Sequence, residues 1–416
     1  MQFTVSNIAN QALQSIINRS IIFNFLREQG PASRSEISRS LKLSASAVSR
    51  VIDFLMQNEY ILEAEKVKTP VGKRPTLLII NANKGNVLAI DLSQERVQIG
   101  LYDYAGRLLS KHKDFCIAGT KNEGAKLVQA VQTFLDGSKQ QNMLLMEKGL
   151  SSISIGIPAD LEEKTGRILS ASLYEDWYEI NFKTLLEDAF GIPVHAEKDV
   201  TLSVLAEKRV GSGKNKSDIV FIEVSNGVSA GIISNNRLVR GSSGSAGQIA
   251  FSVINSESYG FRYKNKGYLD KYASIQIIKE RMIDNIERGQ QSMVLRMAGN
   301  NIHRIEPAMV CRAALDGDEL AMEVLNDIVE LLSMGLINLI LVMNPETLIL
   351  GGYISNLPGV EQLFVNKINE HLAKAIPFNV PEVRVSALGE DVVMLGASLS
   401  AIDALVAGDF PYRLGD

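Results

Sequence analysis

Residues 33–61 constrain the fold more than any other stretch, because they contain two short amphipathic helices separated by a tight turn. Apolar side chains recur at helical spacing on one face of each helix, which predicts that both pack against a common core. These side chains are Ile37 and Leu41 in the first helix and Val48, Ile52 and Leu55 in the second. Ser44 ends the turn and is a good N-cap for the second helix. The segment therefore predicts a helix-turn-helix unit.

The exposed face of the second helix carries Ser46, Ser49 and Arg50. Short hydroxyl side chains beside an arginine allow a helix to enter the major groove of DNA and still donate hydrogen bonds to phosphates and base edges. An ordinary helical hairpin with a polar outer face is the alternative interpretation. We favour DNA binding, because the flanking sequence agrees with it on several independent points.

The sequences on either side complete the pattern of a winged helix. Upstream, an apolar stripe in SIINRSIIFNFLREQG predicts a helix that ends at Gly30-Pro31. Downstream, residues 61–64 and 76–80 are typical of short strands, and the basic segment KVKTPVGKRPT joins them. Pro and Gly keep this segment thin enough for a minor groove, although a solvated hairpin tip is the alternative. The predicted DNA-binding residues are Arg34, Ser44, Ser46, Ser49, Arg50, Lys73 and Arg74.

Charge is distributed unevenly along the chain. The formal net charge is −4, whereas residues 1–84 hold eleven Lys or Arg and six Asp or Glu, a balance of +5. Residues 85–416 therefore carry −9. A basic head on an acidic body is expected when only the head contacts DNA phosphates. A uniformly basic chain would have indicated nonspecific coating of nucleic acid.

The composition is that of a globular protein with two or three domains, since the 416 residues are 46% hydrophobic and 22% charged. Cys116 and Cys311 are far apart, which excludes a disulfide framework and fits a reducing compartment. The N-terminus MQFTVSNIAN lacks the features of a signal peptide. The apolar run LLSMGLINLILVM is too short to span a bilayer and predicts a buried helix. We therefore expect a cytoplasmic protein without a membrane partner.

From residue 85 the pattern changes to alternating strands and helices. The first part predicts a three-strand meander, a helix and a buried strand, and a second meander follows later. The predicted strands are residues 87–92, 97–103, 107–115, 153–158, 219–225, 228–234, 237–241 and 347–352, with a helix around 123–135 and a turn at Asn235-Asn236. The repetition predicts an internally duplicated α/β body with a ligand cleft between two lobes.

These motifs resemble the ROK family (repressors, open reading frames and kinases), in particular its repressor branch. The head NRSIIFNFLREQGPASRSEISRSLKLSASAVSRVIDFLMQNEYI and the arm VGKRPT are similar to ROK repressors. In the body, AEKDVTLSVLAE, VRGSSGSAGQIAF, NPETLILGGYIS and MLGASLSA are similar to family motifs. The resemblance covers nearly the whole chain. It implies a winged helix-turn-helix DNA-binding domain at 1–84 and a two-lobed, actin-like (hexokinase-like) α/β body. The lobes are 85–200 and 201–416, with a C-terminal helix able to return to the first lobe.

Departures from the ROK pattern affect both phosphate loops. Such loops need glycine, because backbone amides must approach phosphate oxygens closely. Ser93-Gln94-Glu95 stands where the family has Gly-Gly-Thr, and residues 225–231 (SNGVSAG) lack two glycines of the second loop. We therefore expect that kinase activity has been lost and that the protein uses no cofactor.

The structural zinc site implied by the family is also altered. Phe261, Tyr263 and Tyr268 stand in place of three cysteines, and Phe251 stands in place of a histidine. Because no thiolate or imidazole ligand remains, we predict that no metal binds there. Four aromatic residues suggest an apolar plug instead.

The resemblance also locates a sugar site, in which kinases of the family use the residue corresponding to Asp199 as catalytic base. Phe251 replaces one of its polar groups. The predicted ligand-binding residues are Lys198, Asp199, Gln248 and Asp270, since carboxylates and an amide suit polyol hydroxyls. Lys198 either pairs with Asp199 or attracts an acidic group of the ligand. Tyr174 and Trp177 lie in a loop beside the sugar, where we favour packing over stacking on a ring.

The sequence thus predicts a transcriptional regulator, most simply a repressor of carbohydrate-related genes. A homodimer, or a dimer of dimers, would read half-sites about 34 Å apart on a palindromic double-stranded DNA operator. Lobe closure around a sugar or sugar derivative would then alter DNA affinity. One alternative is a carbohydrate kinase with an auxiliary DNA-binding head. The other is a regulator whose body has lost sensing and serves only for dimerisation or protein docking.

Overall fold

A computed structural model describes residues 2–64, 76–92, 97–113, 122–141, 149–162, 164–171, 175–263 and 265–408. Within these ranges the strands form a three-stranded sheet near the N-terminus, two five-stranded sheets and a separate two-stranded pair. The N-terminal unit is called the head below, and the remainder is called the body.

The head consists of three helices and a small antiparallel sheet. The helices are α1 (Gln2–Gln29), α2 (Arg34–Leu41) and α3 (Ala45–Gln57). The strands are β1 (Ala32–Ser33), β2 (Ile61–Glu63) and β3 (Leu77–Ile80), in the sheet order β1-β3-β2. The predicted helix pair and both predicted strands are therefore confirmed. β1 was not predicted, because two residues carry no periodic signal.

Local sequence explains the turn between α2 and α3. Lys42 adopts a left-handed conformation with φ of 54°, and this ends α2. Ser44 caps α3, since its hydroxyl accepts a hydrogen bond of 3.2 Å from the backbone N–H of Ala47. Ile37 and Ile52 have no exposed area, so the two apolar faces share one core as the spacing predicted.

The first lobe of the body is built on a mixed sheet. Its strands are β4 (Asn86–Asp91), β5 (Gln98–Asp103), β6 (Leu108–Lys113), β7 (Leu150–Ile157) and β10 (Val194–Lys198), in the order β10-β7-β4-β5-β6. β4, β5 and β6 form the predicted meander, and β7 and β10 run parallel to β4. The other elements are α4 (Glu123–Gln141), α5 (Phe182–Phe190), and the pair β8 (Asp160–Leu161) and β9 (Ile168–Ser170). α5 packs against α4 and β10.

The second lobe repeats this plan. Its strands are β11 (Ile219–Val224), β12 (Val228–Ser234), β13 (Arg237–Leu238), β14 (Thr347–Gly351) and β15 (Glu382–Val385), in the order β13-β12-β11-β14-β15. β11 to β13 form the second meander, and β14 and β15 run parallel to β11. Asn235 and Asn236 form the predicted turn, both with positive φ.

Helices pack around and between these sheets. α6 (Asp199–Val210) follows β10 and packs against β11 and β12, so it connects the lobes. The second lobe also contains α7 (Tyr268–Tyr272), α8 (Ile275–Glu287), α9 (Met293–Met297), α10 (Pro307–Leu315), α11 (Glu319–Met343) and α12 (Asn366–Ala375). α13 (Val392–Ala407) returns to the first lobe, where it packs against β4, β7 and α6.

The apolar run noted in the sequence forms the C-terminal part of α11, and the expectation that it is too short to span a bilayer does not hold for the whole helix. The helix has 25 residues, so by length and composition it could cross a membrane. The helix is longer than the run because it begins at Glu319, and charged residues such as Glu323 and Asp327 precede the run within it. Half of its most apolar window is buried, and the helix packs against α8, α10 and α12 within the protein core.

Candidate DNA interface and ligand cavity

The outer face of α3 is polar and accessible. Ser46 and Arg50 are exposed and Ser49 is partly exposed, whereas Val48 on the opposite face is buried. Within the described part of the chain, no ion-pair or hydrogen-bond partner is recorded for the guanidinium of Arg50. This face is therefore available to an external partner.

Arg34 is held by hydrogen bonds within the head, unlike the exposed side chains of α3. Its guanidinium donates to the carboxylate of Asp53 at 2.9 Å and to the backbone carbonyl of Ser49 at 3.3 Å. These bonds fix the start of α2 to the middle of α3, and 39% of the Arg34 side chain stays exposed. Lys73 and Arg74, the other predicted phosphate contacts, lie outside the described residues.

A cavity lies where strands of both lobes end. β4 ends at Asp91 and β10 ends at Lys198 in the first lobe, and Glu223 precedes the last residue of β11 in the second. Carboxyl ends of parallel strands are the usual place for a ligand in such sheets. The cavity opens to solvent. All four predicted ligand residues line it, namely Lys198, Asp199, Gln248 and Asp270.

Asp160 organises the first-lobe side of this cavity, and sequence reasoning missed it. Its two carboxylate oxygens accept hydrogen bonds from Nζ of Lys198 at 2.9 Å and from Nε2 of Gln248 at 2.7 Å. The ion-pair partner of Lys198 is thus Asp160, so the first of the two alternatives for Lys198, a pairing with Asp199, was wrong. The missed signal was a carboxylate three residues after the end of the buried strand β7, at the start of β8, from where the side chain reaches the cavity.

Asp199 is the most perturbed of the predicted residues. It begins α6, and its Oδ1 accepts a hydrogen bond of 2.7 Å from the backbone N–H of Val200. Burial raises the pKa of Asp199 to about 7, and the neighbouring carboxylates Asp91 and Asp160 add to the rise. The Val200 N–H and the ammonium of Lys198 oppose it. A buried carboxyl near neutral pKa can exchange a proton under physiological conditions.

Asp270 links the second phosphate loop to α7. Its carboxylate accepts hydrogen bonds from the backbone N–H of Val228 at 2.8 Å and of Gly267 at 3.0 Å. Burial raises the pKa of Asp270, and these two donors reduce the rise. One face of the residue lines the cavity while its oxygens are already engaged, so its role is partly structural.

The second phosphate loop has few amides available for an anion. The N–H of Ser225 donates to the carbonyl of Gly227 at 3.0 Å, and that of Ala230 donates to the carbonyl of Gly247 at 2.8 Å. The N–H of Val228 is held by Asp270. Three potential phosphate donors therefore already have acceptors within the protein. The replaced first loop, residues 93–95, lies outside the described residues.

Comparison with known proteins identifies the family. The sequence pattern of the ROK family matches residues 87–404, which is well over half of the chain. The chain belongs to the ROK family. It is 26% identical over 403 residues to the xylose repressor of Caldicellulosiruptor bescii, a match that covers 96% of this chain and 99% of that protein.

Solved ROK structures share the fold. A ROK family transcriptional regulator, a homolog of the E. coli MLC protein, superposes with a TM-score of 0.78 at 22% identity and covers 94% of this chain and 96% of its own. A ROK family glucokinase from Streptomyces griseus superposes with a TM-score of 0.64 at 22% identity, over 76% of this chain and 98% of its own. The body therefore has the two-lobed, actin-like ROK fold.

Aromatic residues cluster where the sequence replaces the ROK zinc ligands. The Phe261 and Tyr268 rings lie 5.4 Å apart edge to face, and both pack against Tyr272. Tyr263 and Phe251 are exposed, at 47% and 41%, so the plug is smaller than the four predicted aromatics. Among the described residues, no group of three or more His, Cys, Asp or Glu could hold a metal ion.

Trp177 packs in the core of the first lobe. Only 1% of it is exposed, and its ring lies 5.0 Å from that of Phe182 in an edge-to-face arrangement. The favoured prediction of packing is therefore confirmed for Trp177. Tyr174 lies outside the described residues.

A largely buried ionic cluster joins the head to the ROK body, and no local sequence pattern indicated it. The carboxylate of Asp403 on α13 lies 2.8 Å from a guanidinium nitrogen of Arg209 at the end of α6 and 3.6 Å from one of Arg27 on α1. Arg209 also approaches Glu28 of α1, at 3.9 Å. α6 thus has its first residue, Asp199, in the cavity and its penultimate residue against the head.

Two further contacts attach the head to the C-terminal end of α13. The guanidinium of Arg19 donates to the carbonyl of Ala407 at 3.1 Å and lies 3.6 Å above the ring of Phe54 on α3. The hydroxyl of Tyr60 donates to the carbonyl of Leu405 at 2.7 Å. Both carbonyls lie in the last turn of α13, where intrahelical donors run out, and the Leu405 carbonyl also accepts from the backbone N–H of Gly408 at 3.2 Å. Arg19 connects the body directly to the helix that carries the candidate DNA contacts.

Proposed function

We propose that this protein is a cytoplasmic, DNA-binding transcriptional repressor whose operator affinity responds to a carbohydrate bound in the body cavity. The exposed face of α3 with Ser46 and Arg50 is the observation that carries this proposal. A helix whose opposite face is fixed in a core can place such side chains in a major groove. The relative named as a xylose repressor supports it, since that match includes the head as well as the body.

A homodimer of the chain would present two α3 helices to a palindromic operator. Arg50, Ser46 and Ser49 would contact base edges or phosphates, and Ser44 would bring the start of α3 close to the DNA backbone. Arg34 would position α3 through its bonds to Asp53 and Ser49. Lys73 and Arg74 would contact phosphates or the minor groove through the arm.

The connection between cavity and head suggests how an effector would act. α6 has 12 residues and therefore spans about 18 Å, from Asp199 in the cavity to the Arg209–Asp403 pair at the head. Ligand contacts at the first end would shift α6 against α13, and the ionic cluster would transmit the shift to α1. A ligand with different affinities for the two arrangements would change the population of the DNA-binding one.

Selection of genomic fragments by the full-length protein, followed by fluorescence anisotropy, tests the DNA-binding part. Arg50→Ala should weaken specific binding by about 1–3 kcal/mol, because an arginine-to-base contact contributes about that much. Arg288→Ala, which removes an exposed arginine of the body, is the matched control and should leave binding unchanged. Recovery of no preferred sequence, or equal affinity of the two variants, would refute the proposal.

One observation favours a second candidate function, a carbohydrate kinase with an auxiliary head. The pKa of Asp199 at about 7 suits a general base. The acidic cavity and the engaged amides of the second phosphate loop favour the repressor. A coupled assay of ADP release over a panel of sugars separates the two, since turnover that Asp199→Asn abolishes would establish the kinase.

A further inference from the structure

The cavity wall carries a strong excess of negative charge. Asp160, Asp199, Glu223 and Asp270 line it, and Lys198 is the sole Lys, Arg or His among its described lining residues. The ammonium of Lys198 is already paired with Asp160 at 2.9 Å. An anionic ligand would therefore meet several carboxylates without a free cation to balance its charge.

The carboxylates differ in how far the protein satisfies them. Asp160 binds Lys198 and Gln248, and Asp270 accepts two backbone N–H groups. Glu223 is satisfied least, because its one donor in the described part of the chain is the hydroxyl of Ser225, which lies 3.4 Å from Oε1. Its Oε2 is buried and has no hydrogen-bond partner among the described residues. The residue as a whole is only 8% exposed.

Glu223 and Asp199 also repel each other. Burial raises the pKa of Glu223 well above its ordinary range, and the charges of Asp199 and Asp91 raise it further. Two buried carboxylates that interact in this way do not both ionise unless a cation joins them. The unsatisfied Oε2 thus marks a place where the cavity lacks a positively charged donor.

We propose that the ligand of this cavity carries a protonated amine as well as hydroxyl groups, as an amino sugar or amino polyol does. The amine would donate to Glu223 and Asp199, and the hydroxyls would bond to the remaining polar groups of the cavity wall, including Gln248 and Asn265. Phosphorylated sugars are excluded by the same carboxylates. This inference rests on the proposed function only in taking a carbohydrate to be the effector.

Thermal shift and isothermal titration of the full-length protein test the inference. The probes are glucosamine, galactosamine and mannosamine, with glucose, N-acetylglucosamine and glucose 6-phosphate for comparison, at up to about 10 mM, where mass action reveals millimolar binding. At least one amino sugar should bind about tenfold more tightly than its neutral, N-acetylated or phosphorylated counterparts. This comparison uses the unaltered chain and so does not depend on the folding of any variant.

Glu223→Gln should then lower the affinity for the amino sugar about tenfold, because it removes the negative charge and keeps the side-chain shape. Glu280→Gln, at an exposed position on α8, is the matched control and should change nothing. Binding of glucose or glucose 6-phosphate as tight as that of any amine would overturn the inference. An unchanged affinity of Glu223→Gln for the amino sugar would also overturn it. So would an equal, Glu223-dependent thermal shift with MgCl₂ or NaCl alone.

The two levels of proposal fail in different ways. If no sugar of any kind binds while Arg50-dependent DNA binding persists, the amine inference falls and the effector part of the proposed function falls with it. If neutral sugars bind and release DNA, only the amine inference falls. If DNA binding is absent, the repressor function fails whatever the cavity binds.

Discussion

Asp403→Asn should loosen the joint between the head and the body. In the folded chain the Asp403 side chain is only 10% exposed, and it lies between the guanidinium groups of Arg27 and Arg209. Arg27 is only 5% exposed, and two of its nitrogens have no hydrogen-bond partner among the described residues. Burial lowers the pKa of Arg27, whereas the charge of Asp403 raises it. The charge of Asp403 therefore supports a poorly solvated cation.

The expected loss of stability in Asp403→Asn follows from this geometry. Asparagine keeps the volume of aspartate, so the substitution leaves no cavity and removes mainly the charge. Loss of one partner from a buried ion pair costs about 3–5 kcal/mol. Glu28 still lies 3.9 Å from Arg209, and 24% of Arg209 is exposed, so part of the positive charge stays compensated. We expect a loss near the lower end, about 3 kcal/mol in the local opening free energy of α1.

Hydrogen exchange of the α1 amides is the appropriate assay, because a chain with several domains has no single unfolding free energy. Asp327→Asn is the matched control. Its partner Arg281 lies 2.8 Å away, but 57% of the Asp327 side chain is exposed to solvent. The substitution should therefore lower stability by less than about 1 kcal/mol. Adding Arg27→Met to Asp403→Asn should recover part of the loss, since the unpaired guanidinium is then gone. Equal α1 protection in Asp403→Asn and Asp327→Asn would refute the reasoning.

Three further predictions concern the arm, the cavity and the interhelical packing. Lys73→Ala with Arg74→Ala should weaken operator binding across sequences and reduce the slope of log affinity against log salt by about 2, whereas an unchanged slope would exclude the arm. The raised pKa of Asp199 means that its contribution to stability is present below about pH 4 and lost as pH rises towards 7. Asp199→Asn should therefore stabilise α6 increasingly over that range, by up to about 3–4 kcal/mol in its local opening free energy, in hydrogen exchange of the backbone amides at several pH values. A Cβ at Gly396 would lie 2.0 Å from a backbone carbonyl oxygen of α6, so Gly396→Ala should destabilise by about 3 kcal/mol or more in the same assay. Gly137→Ala, which meets nothing within 4 Å, should be neutral or stabilising.

Much of the architecture could be predicted because the relevant signals are local. The apolar runs of β4 and β5, the Asn235-Asn236 turn and the Ser44 cap each depend on a few adjacent residues, and each was confirmed. The helix-turn-helix pair was predictable for the same reason, since the spacing of Ile37, Val48 and Ile52 fixes which faces are buried. β1 and the full length of α11 were not predictable, because the sequence signal of β1 is too short and that of α11 is interrupted by polar residues.

The candidate cavity was only partly predictable. Motif resemblance located Lys198, Asp199, Gln248 and Asp270, and these four residues do line one cavity. Asp160 and Glu223 were missed, since a single carboxylate at the end of a strand resembles any other until the sheets are assembled. Neither alternative considered for Lys198 named Asp160, for the same reason. Adjacency in sequence favoured Asp199, whereas Asp160 reaches the ammonium from another strand.

The sequence by itself determined the α/β class, the basic head on an acidic body and the apolar faces of the head helices, because periodicity and charge are properties of neighbouring residues. Only the tertiary structure decided that Asp403, Arg209 and Arg27 meet between the head and the body, and that Glu223 lies buried beside Asp199. These groups are far apart along the chain, and their interaction energies depend on distance and burial. Burial in turn exists only once the two sheets and α13 have packed together.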